Sequence, residues 1–576
     1  MKINLRSHRW FYGANETGLL HKGALRAAGF NMDHYKGQPV IGIANTWGEL
    51  NNCNMSLRRI AEEVKKGIRK AGGIPLEFPV MTLGEELMKP TAALYRNLLS
   101  MDVEENLRAY PLDGVVLLGN CDKTVPGLLM GAVSANLPTI QLNAGPKKVG
   151  VYKGKRLGSG TDLWKYWDEL RIGKISGEDW EEIGKALSCG FGGCNTMGTS
   201  STMNGILEAL GIMPLGLSSL PVASKKRYRL SAKAGERIVA MVLEDLKPSD
   251  ILTPEAFKNA IAVCMAIGGS TNAIIHLTAI AGRLNISLYP DVFNELGNII
   301  PCIADVQPAG KKLMDEFDKA GAFPAVIKRL GSLIHLNSKT YTGKTLQSLL
   351  STKKIKDDLL IRPLTDPVSN TPTIAILSGN LAPDGAVIKV AAASGHLLQH
   401  SGPAFVFENY EDMLNRVDDE SLPVDASTVL LLRNAGPKAV PGMPEWAMIP
   451  IPKKLRARGV TDMVRISDAR MSGTSFGTII LHVAPEAVQG GMFALIQNGD
   501  TITLDVLNRK INVEISDDEF KKRKAIWEAP PENHDRGYPK LFKREVLQAN
   551  EGCDLDFLKP HNNNELCFIE PTVGRS

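Results

Sequence analysis

The sequence predicts an α/β protein: an N-terminal parallel-sheet α/β domain with helices on both faces, then a C-terminal β-barrel-like domain with flanking helices. Three observations carry this. Short apolar runs alternate with helix-like stretches through the first half, the rhythm of βαβ units. After about Arg362, short strands separated by Gly, Pro and Asp take over. A chain of 576 residues is also too long for one core. The domains are drawn at 1–362 and 363–576, with 346–365 as the linker.

The first strand is read at 39–44, where Val40, Ile41 and Ile43 make an apolar run. A helix over 55–71 follows, with Arg58, Glu62, Lys65 and Lys66 charging one face. Strands are expected at 74–80, 114–119 and 138–143, the last two flanking an apolar helix that opens near Thr124. From 228 to 286 the pattern is largely helical, and Thr253 and Pro254 mark one start as N-cap and first helical residue. Strands at 373–377, 386–390, 404–407 and 428–432 then precede a hairpin, 501–506 with 511–515, around Asn508-Arg509-Lys510. The stretch from Pro530 is polar and rich in Pro and Asn, and reads as a surface wrap.

Composition narrows the function classes. The 44% hydrophobic and 22% charged fractions are those of a globular enzyme. The net charge of +5 is too weak and too evenly spread for a nucleic-acid binder. The N-terminus lacks the apolar core of a secretory signal, and no apolar run is long enough to span a membrane, so a cytoplasmic protein is expected. The eight cysteines are scattered, and no Cys-x-x-Cys pair occurs; buried thiols with a metal-binding or catalytic subset fit better than a disulfide framework.

Asn120-Cys121-Asp122-Lys123 stands between the apolar run at 114–119 and the following helix. A thiolate donor, a carboxylate and an amine thus meet at the carboxyl end of a strand, where open α/β sheets place ligands. A thiolate suits iron–sulfur chemistry and a carboxylate suits magnesium. Cys53, in Asn51-Asn52-Cys53-Asn54, and Cys194, in Gly192-Gly193-Cys194-Asn195, have similar turn-like settings. Three such thiolates can converge at one sheet edge, and would leave one iron of a cluster open to substrate. Cys189 competes with Cys194 for the third position; Cys264, Cys302, Cys553 and Cys567 are taken as structural.

A second group offers oxygen ligands: Glu85 or Glu86 after a strand, Asp122, and Glu445 after Pro441-Gly442-Met443-Pro444. Lys123 fits beside Mg2+ only if it is remote, neutral or N-carboxylated into an anion. A third group is Ser467-Asp468-Ala469-Arg470-Met471-Ser472-Gly473, where Ser472 on a glycine-rich turn could serve as base or nucleophile. His276, in an apolar helix after Gly268-Gly269-Ser270-Thr271-Asn272, is read as a core histidine.

Several segments resemble the dehydratase family that includes dihydroxy-acid, 6-phosphogluconate and sugar-acid dehydratases. They include Asn120-Cys121-Asp122-Lys123-Thr124, Cys194-Asn195-Thr196-Met197-Gly198 and Gly268-Gly269-Ser270-Thr271-Asn272-Ala273. Gly379-Asn380-Leu381-Ala382-Pro383-Asp384-Gly385, His400-Ser401-Gly402-Pro403, Pro441-Gly442-Met443-Pro444-Glu445 and the serine segment continue the series in family order. Asn45–Asn54, Gly158-Ser159-Gly160-Thr161-Asp162-Leu163-Trp164-Lys165-Tyr166-Trp167 and Asp245–Thr253 look most like the pentonate (L-arabinonate, D-xylonate) branch.

The resemblance implies that Cys53, Cys121 and Cys194 ligate a [2Fe–2S] cluster, or alternatively [4Fe–4S]. It implies that Glu85, Asp122, N-carboxylated Lys123 and Glu445 surround Mg2+, and that Ser472 is the base. Glu85 stands where many relatives have Asp, and Glu86 beside it leaves that ligand open. The implied enzyme is a hydro-lyase acting on an aldonate, a small-molecule substrate, and working as a homodimer or homotetramer. The alternative is the dihydroxy-acid dehydratase of branched-chain amino-acid synthesis. Arg433-Asn434-Ala435-Gly436-Pro437 departs from the Arg-Tyr-Glu-Gly-Pro run of that branch. A non-catalytic iron–sulfur sensor would have no use for a second metal and a base.

Overall fold

A computed structural model describes residues 5–13 and 16–560; Cys567 lies outside the described residues. Four parallel strands open the fold: β1 (Val40–Asn45), β2 (Ile74–Pro79), β3 (Gly114–Leu118) and β4 (Thr139–Leu142), in the order β2-β1-β3-β4. Successive side chains of a strand point to opposite faces. Accordingly Ile41, Ile43, Val116 and Leu118 share a core with Leu57, Ile60, Val64 and Ile238, on helices Leu57–Lys70 and Lys225–Glu244. Val40, Ala44, Val115 and Leu117 share another with Leu99, Val103 and Leu107 of helix Arg96–Ala109. Helices therefore cover both faces of the sheet, as the βαβ rhythm predicts. The strand order reverses between β1 and β3, which opens a crevice at their carboxyl ends.

A small ribbon, β5 (Gly150–Tyr152) with β6 (Lys155–Leu157), precedes a helical stretch. There Thr253 caps helix Pro254–Ala266 by accepting from the Ala256 amide at 3.4 Å. The stretch read as a linker is packed rather than free: Leu346, Leu350 and Ile361 are buried, and the Arg362 amide bonds to Ile303 O.

The C-terminal part is an eight-stranded mixed sheet. Its strands are β7 (Ala375–Leu377), β8 (Gly385–Ile388), β9 (Gln399–Phe407), β10 (Val429–Leu432), β11 (Arg465–Ser467), β12 (Ile479–Ala484), β13 (Thr501–Asp505) and β14 (Lys510–Val513). Their order is β14-β13-β9-β10-β11-β12-β8-β7. The central strands β9 to β12 run parallel, with antiparallel pairs on both sides. The two edges meet at a bridge between Ser378 and Lys510, and Asn380 exchanges bonds with Val513 in both directions. The sheet is thus nearly closed, the barrel-like form expected. β11 and β12 go beyond the strands read from the sequence. No helix among the described residues is long and apolar enough to cross a membrane.

Candidate active site

The loops after β1 and β3 meet in the crevice. Asn51 starts the turn Asn52–Asn54 by accepting from the Cys53 amide at 3.1 Å. Asn54 Oδ1 accepts from the Asn120 amide at 3.1 Å. Asn120 then fastens the neighbouring loops. Its Nδ2 donates to Cys53 O and Gly145 O, at 3.0 and 3.1 Å, and its carbonyl accepts from Ser200 Oγ at 2.5 Å. The Gly192 amide donates to Asn52 O at 3.1 Å, which brings in the loop that carries Cys194.

Cys53, Cys121 and Cys194 converge there. A thiol hydrogen bond with Cys53, together with burial, holds Cys121 well above the ordinary thiol range. Burial pushes Cys194 up to about 12, and Cys53 adds to the shift. Cys189 stays apart, donating to Ala186 O at 3.0 Å. Cys553 lies behind the Glu445 loop, 3.8 Å from Met443 Sδ. Neutral thiols are inert, so Cys121 and Cys194 need a cation nearby to become thiolate ligands.

The carboxylates gather around Lys123, whose side chain has no exposed surface. Its Nζ lies 2.5 Å from Asp122 Oδ2, 2.7 Å from Glu445 Oε1 and 3.2 Å from Glu85 Oε2. Burial alone would lower the amine's pKa, but Asp122, Glu445 and Glu85 outweigh it and hold the ammonium charged. Burial works against ionised Glu445 too, yet Lys123 and Arg470 bring its pKa down to about 2. Glu85 is raised by burial. Asp122 joins the two groups: its Oδ1 accepts from Cys121 Sγ at 3.4 Å while Oδ2 meets Lys123. Glu86 points elsewhere, accepting from Asn52 Nδ2 at 2.9 Å.

Among the described residues, no three His, Cys, Asp or Glu side chains stand close enough together to hold a metal ion as they are. In the carboxylate group the Lys123 ammonium takes the central place and supplies the compensating charge. The donor chemistry nonetheless fits the implied groups: soft thiols on one side of Asp122, hard carboxylates on the other. N-carboxylation would turn the obstructing cation into a further oxygen ligand.

Ser472 arrives from the barrel, on the loop between β11 and β12. A Cβ at Gly473 would stand 2.6 Å from Thr199 N, so only glycine lets this loop lie against the Cys194 segment. Asn272 Nδ2 donates to Met471 O at 3.1 Å and to Glu445 Oε1 at 3.0 Å, tying the serine loop to the carboxylates.

Sequence reasoning missed three of the residues that build the site. Arg470, 2% exposed, donates to Glu445 Oε1 at 2.9 Å, Asn272 Oδ1 at 3.1 Å and Thr91 Oγ1 at 3.0 Å. Asn272 and Thr91 complete the network, and Thr91 hands its proton to Glu85 at 2.7 Å. Arg470 and Asn272 lay inside segments already singled out; Thr91 carried no signal. His276 is buried as expected, with Nδ1 3.1 Å from Arg96; burial, then Arg96, keeps it neutral.

Two family models cover this architecture. The dihydroxy-acid/6-phosphogluconate dehydratase N-terminal model matches residues 38–349, and the C-terminal model matches 359–553. The chain belongs to this family. It is a dehydratase, a hydro-lyase. Its relatives include a dehydratase of Rhizobium meliloti (strain 1021), 48% identical over 98% of both chains. The 6-deoxy-6-sulfo-D-gluconate dehydratase of Pseudomonas putida is 46% identical over 96% of both. The L-arabinonate dehydratase of Rhizobium leguminosarum bv. trifolii (strain WSM2304) is 45% identical over 97% of both. In the dehydratase, then, the two collinear segments that carry Cys121 and Ser472 are brought together at the seam between sheet and barrel.

Proposed function

We propose that the dehydratase acts on a sugar acid, a pentonate, and converts it to the 2-keto-3-deoxy acid and water. The observation that supports this most is the bridge at Asp122, where a thiol group and a carboxylate group share one side chain. Two relatives named for aldonate substrates, similar over nearly their full length, support the substrate class. In this reading Cys53, Cys121 and Cys194 hold a [2Fe–2S] cluster, with [4Fe–4S] as the alternative. Glu85, Asp122, N-carboxylated Lys123 and Glu445 hold Mg2+.

When bound, these groups supply Lewis acidity to the substrate's carboxylate and hydroxyl oxygens. Ser472 takes the C2 proton as general base. The electron pair left at C2 forms the C2–C3 double bond as the C3 hydroxyl departs, and the enol tautomerises to the ketone. Arg470 holds Glu445 ionised and in place throughout, and Asn272 keeps the serine loop in register with it.

The test is a substrate panel with a 2-keto-acid readout: L-arabinonate, D-xylonate, D-gluconate and 2,3-dihydroxyisovalerate. A pentonate should be turned over at least about tenfold faster than the branched-chain precursor. Faster turnover of 2,3-dihydroxyisovalerate would move the enzyme to the amino-acid branch. Protein purified without air should be brown; a colourless, iron-free and active enzyme would remove the cluster from the scheme.

A further inference from the structure

One cation stands beside the thiols without a partner. The chain leaving β4 runs alongside the loop that carries Cys194. The Gly193 amide donates to Gly145 O at 2.9 Å, and the Lys147 amide donates to Gly193 O at 2.8 Å. Pro146 and Gly193 pair there as a parallel bridge. A Cβ at Gly192, where φ is +125, would stand 2.8 Å from Lys147 N, so glycine is what lets the two stretches lie this close. Asn120 fixes the other side, exchanging bonds with Gly145 at 3.0 and 3.1 Å. Lys147 is thus held beside the residue that precedes Cys194.

Lys147 is half-buried, and among the described residues its amine enters no ion pair or hydrogen bond. The site around it gathers negative charge. At Cys194, burial and then Cys53 push the thiol up, Lys147 draws it down, and Glu86 and Asp122 add to the rise. A charge left unpaired at a partly buried place is costly until a partner arrives. Metal binding at the thiols would supply that partner. The oxidised core of a [2Fe–2S] or [4Fe–4S] cluster carries two positive charges, and three thiolates turn the assembly into an anion. One-electron reduction adds a further negative charge. Net charge is among the factors that set a cluster's potential.

We propose that Lys147 is the counter-charge of the iron–sulfur site: its ammonium offsets the anionic, thiolate-bound cluster and favours the reduced form over the oxidised one. The inference rests on the reading of Cys53, Cys121 and Cys194 as the cluster's ligands. Lys148, its exposed neighbour, has no such part.

The test uses holoenzyme purified without air and follows the cluster rather than turnover, by redox titration with an EPR readout. Lys147→Met removes the charge and keeps the apolar stem. It should disfavour reduction about tenfold, the scale of one charge acting across a partly buried site, which lowers the midpoint by about 60 mV. Lys147→Arg keeps the charge and should stay within about twofold of the parent, or about 20 mV. Lys148→Met should do the same. Failure of Lys147→Met to hold iron, with Lys147→Arg loading normally, would support the same role for the charge. A midpoint in Lys147→Met within about twofold of the parent, an equal shift in Lys148→Met, or loss of the cluster in both Lys147 variants would overturn the proposal. A colourless, iron-free parent would overturn the cluster reading and the proposal with it. A brown parent keeps that reading whatever Lys147→Met does, so the two failures are told apart.

Discussion

Glu85 and Glu86 are neighbours in sequence and face opposite ways in space. Glu85 Oε1 accepts from Thr91 Oγ1 at 2.7 Å and Oε2 from the Ala92 amide at 3.2 Å, so the carboxylate is held toward Lys123. The Thr91 hydroxyl has no other choice, since Arg470 and the Ala93 amide can only donate to it. Glu86 bonds to Asn52 at the exposed rim. Glu85→Gln should therefore reduce turnover by about 100-fold or more, the scale of removing one group from a preorganised polar site. Glu86→Gln should stay within about twofold of the parent, a surface change. Steady-state kinetics on both variants decides; similar losses in the two would break the distinction. The sequence left the pair open because what sorts them is a threonine five or six positions on and an arginine from the barrel. Lys123 shows the same limit. Its burial among three carboxylates comes from residues distant in the chain, which spacing does not reveal.

The elements show where sequence patterns speak and where they fall silent. β1, β3 and β4 are fully buried, β1 and β3 as mainly apolar runs and β4 with Thr139 and Gln141 between its apolar residues, and each was legible. β11 was not, because it has three residues and begins with Arg465, a buried cation paired to Asp462 at 2.8 Å. β12 hides in a different way: His482, with φ +55, interrupts it, and its register with β8 shifts there. The segment Gly379–Gly385 marked family resemblance, yet its Asn380 serves to close the barrel rather than to do chemistry. Close helix packing is equally invisible in a periodicity plot. A Cβ at Gly67 of helix Leu57–Lys70 would stand 1.9 Å from Ala232 O on helix Lys225–Glu244. Gly67→Ala must push the helices apart, at a cost of about 1–3 kcal/mol. Thermal melts should show the loss, while kcat per folded molecule stays that of the parent; an unchanged melting temperature would contradict the packing.

At the scale of the whole molecule, Lys123 with Glu445 and Arg470 with Thr91 join sheet and barrel, and another buried acid ties the C-terminal half together. Glu486, after β12, accepts from the Lys438 and Ala439 amides and from Gln548 Nε2, joining the barrel, the Glu445 loop and the C-terminal segment. Burial, with Asp468 adding, pushes its pKa up from 4.5 to about 7. The folded state therefore binds more protons than the unfolded one between about pH 4.5 and 7, and stability falls as pH rises through that window. Glu486→Gln imitates the protonated acid. Its melting temperature should match the parent's near pH 4.5 and exceed it increasingly toward pH 7; a gap that does not change with pH would refute the shift. One feature of the site also sets an order in time. Glu445, which helps to enclose Lys123, follows it by 322 positions. During synthesis Glu85, Asp122 and Lys123 emerge long before Glu445 and Arg470 exist. The amine is open to water only until the barrel docks; afterwards it has no exposed surface. For the N-carboxylation proposed above, a reagent would have to reach Lys123 in that interval or when the halves part, which would tie that step to the folding schedule of the chain.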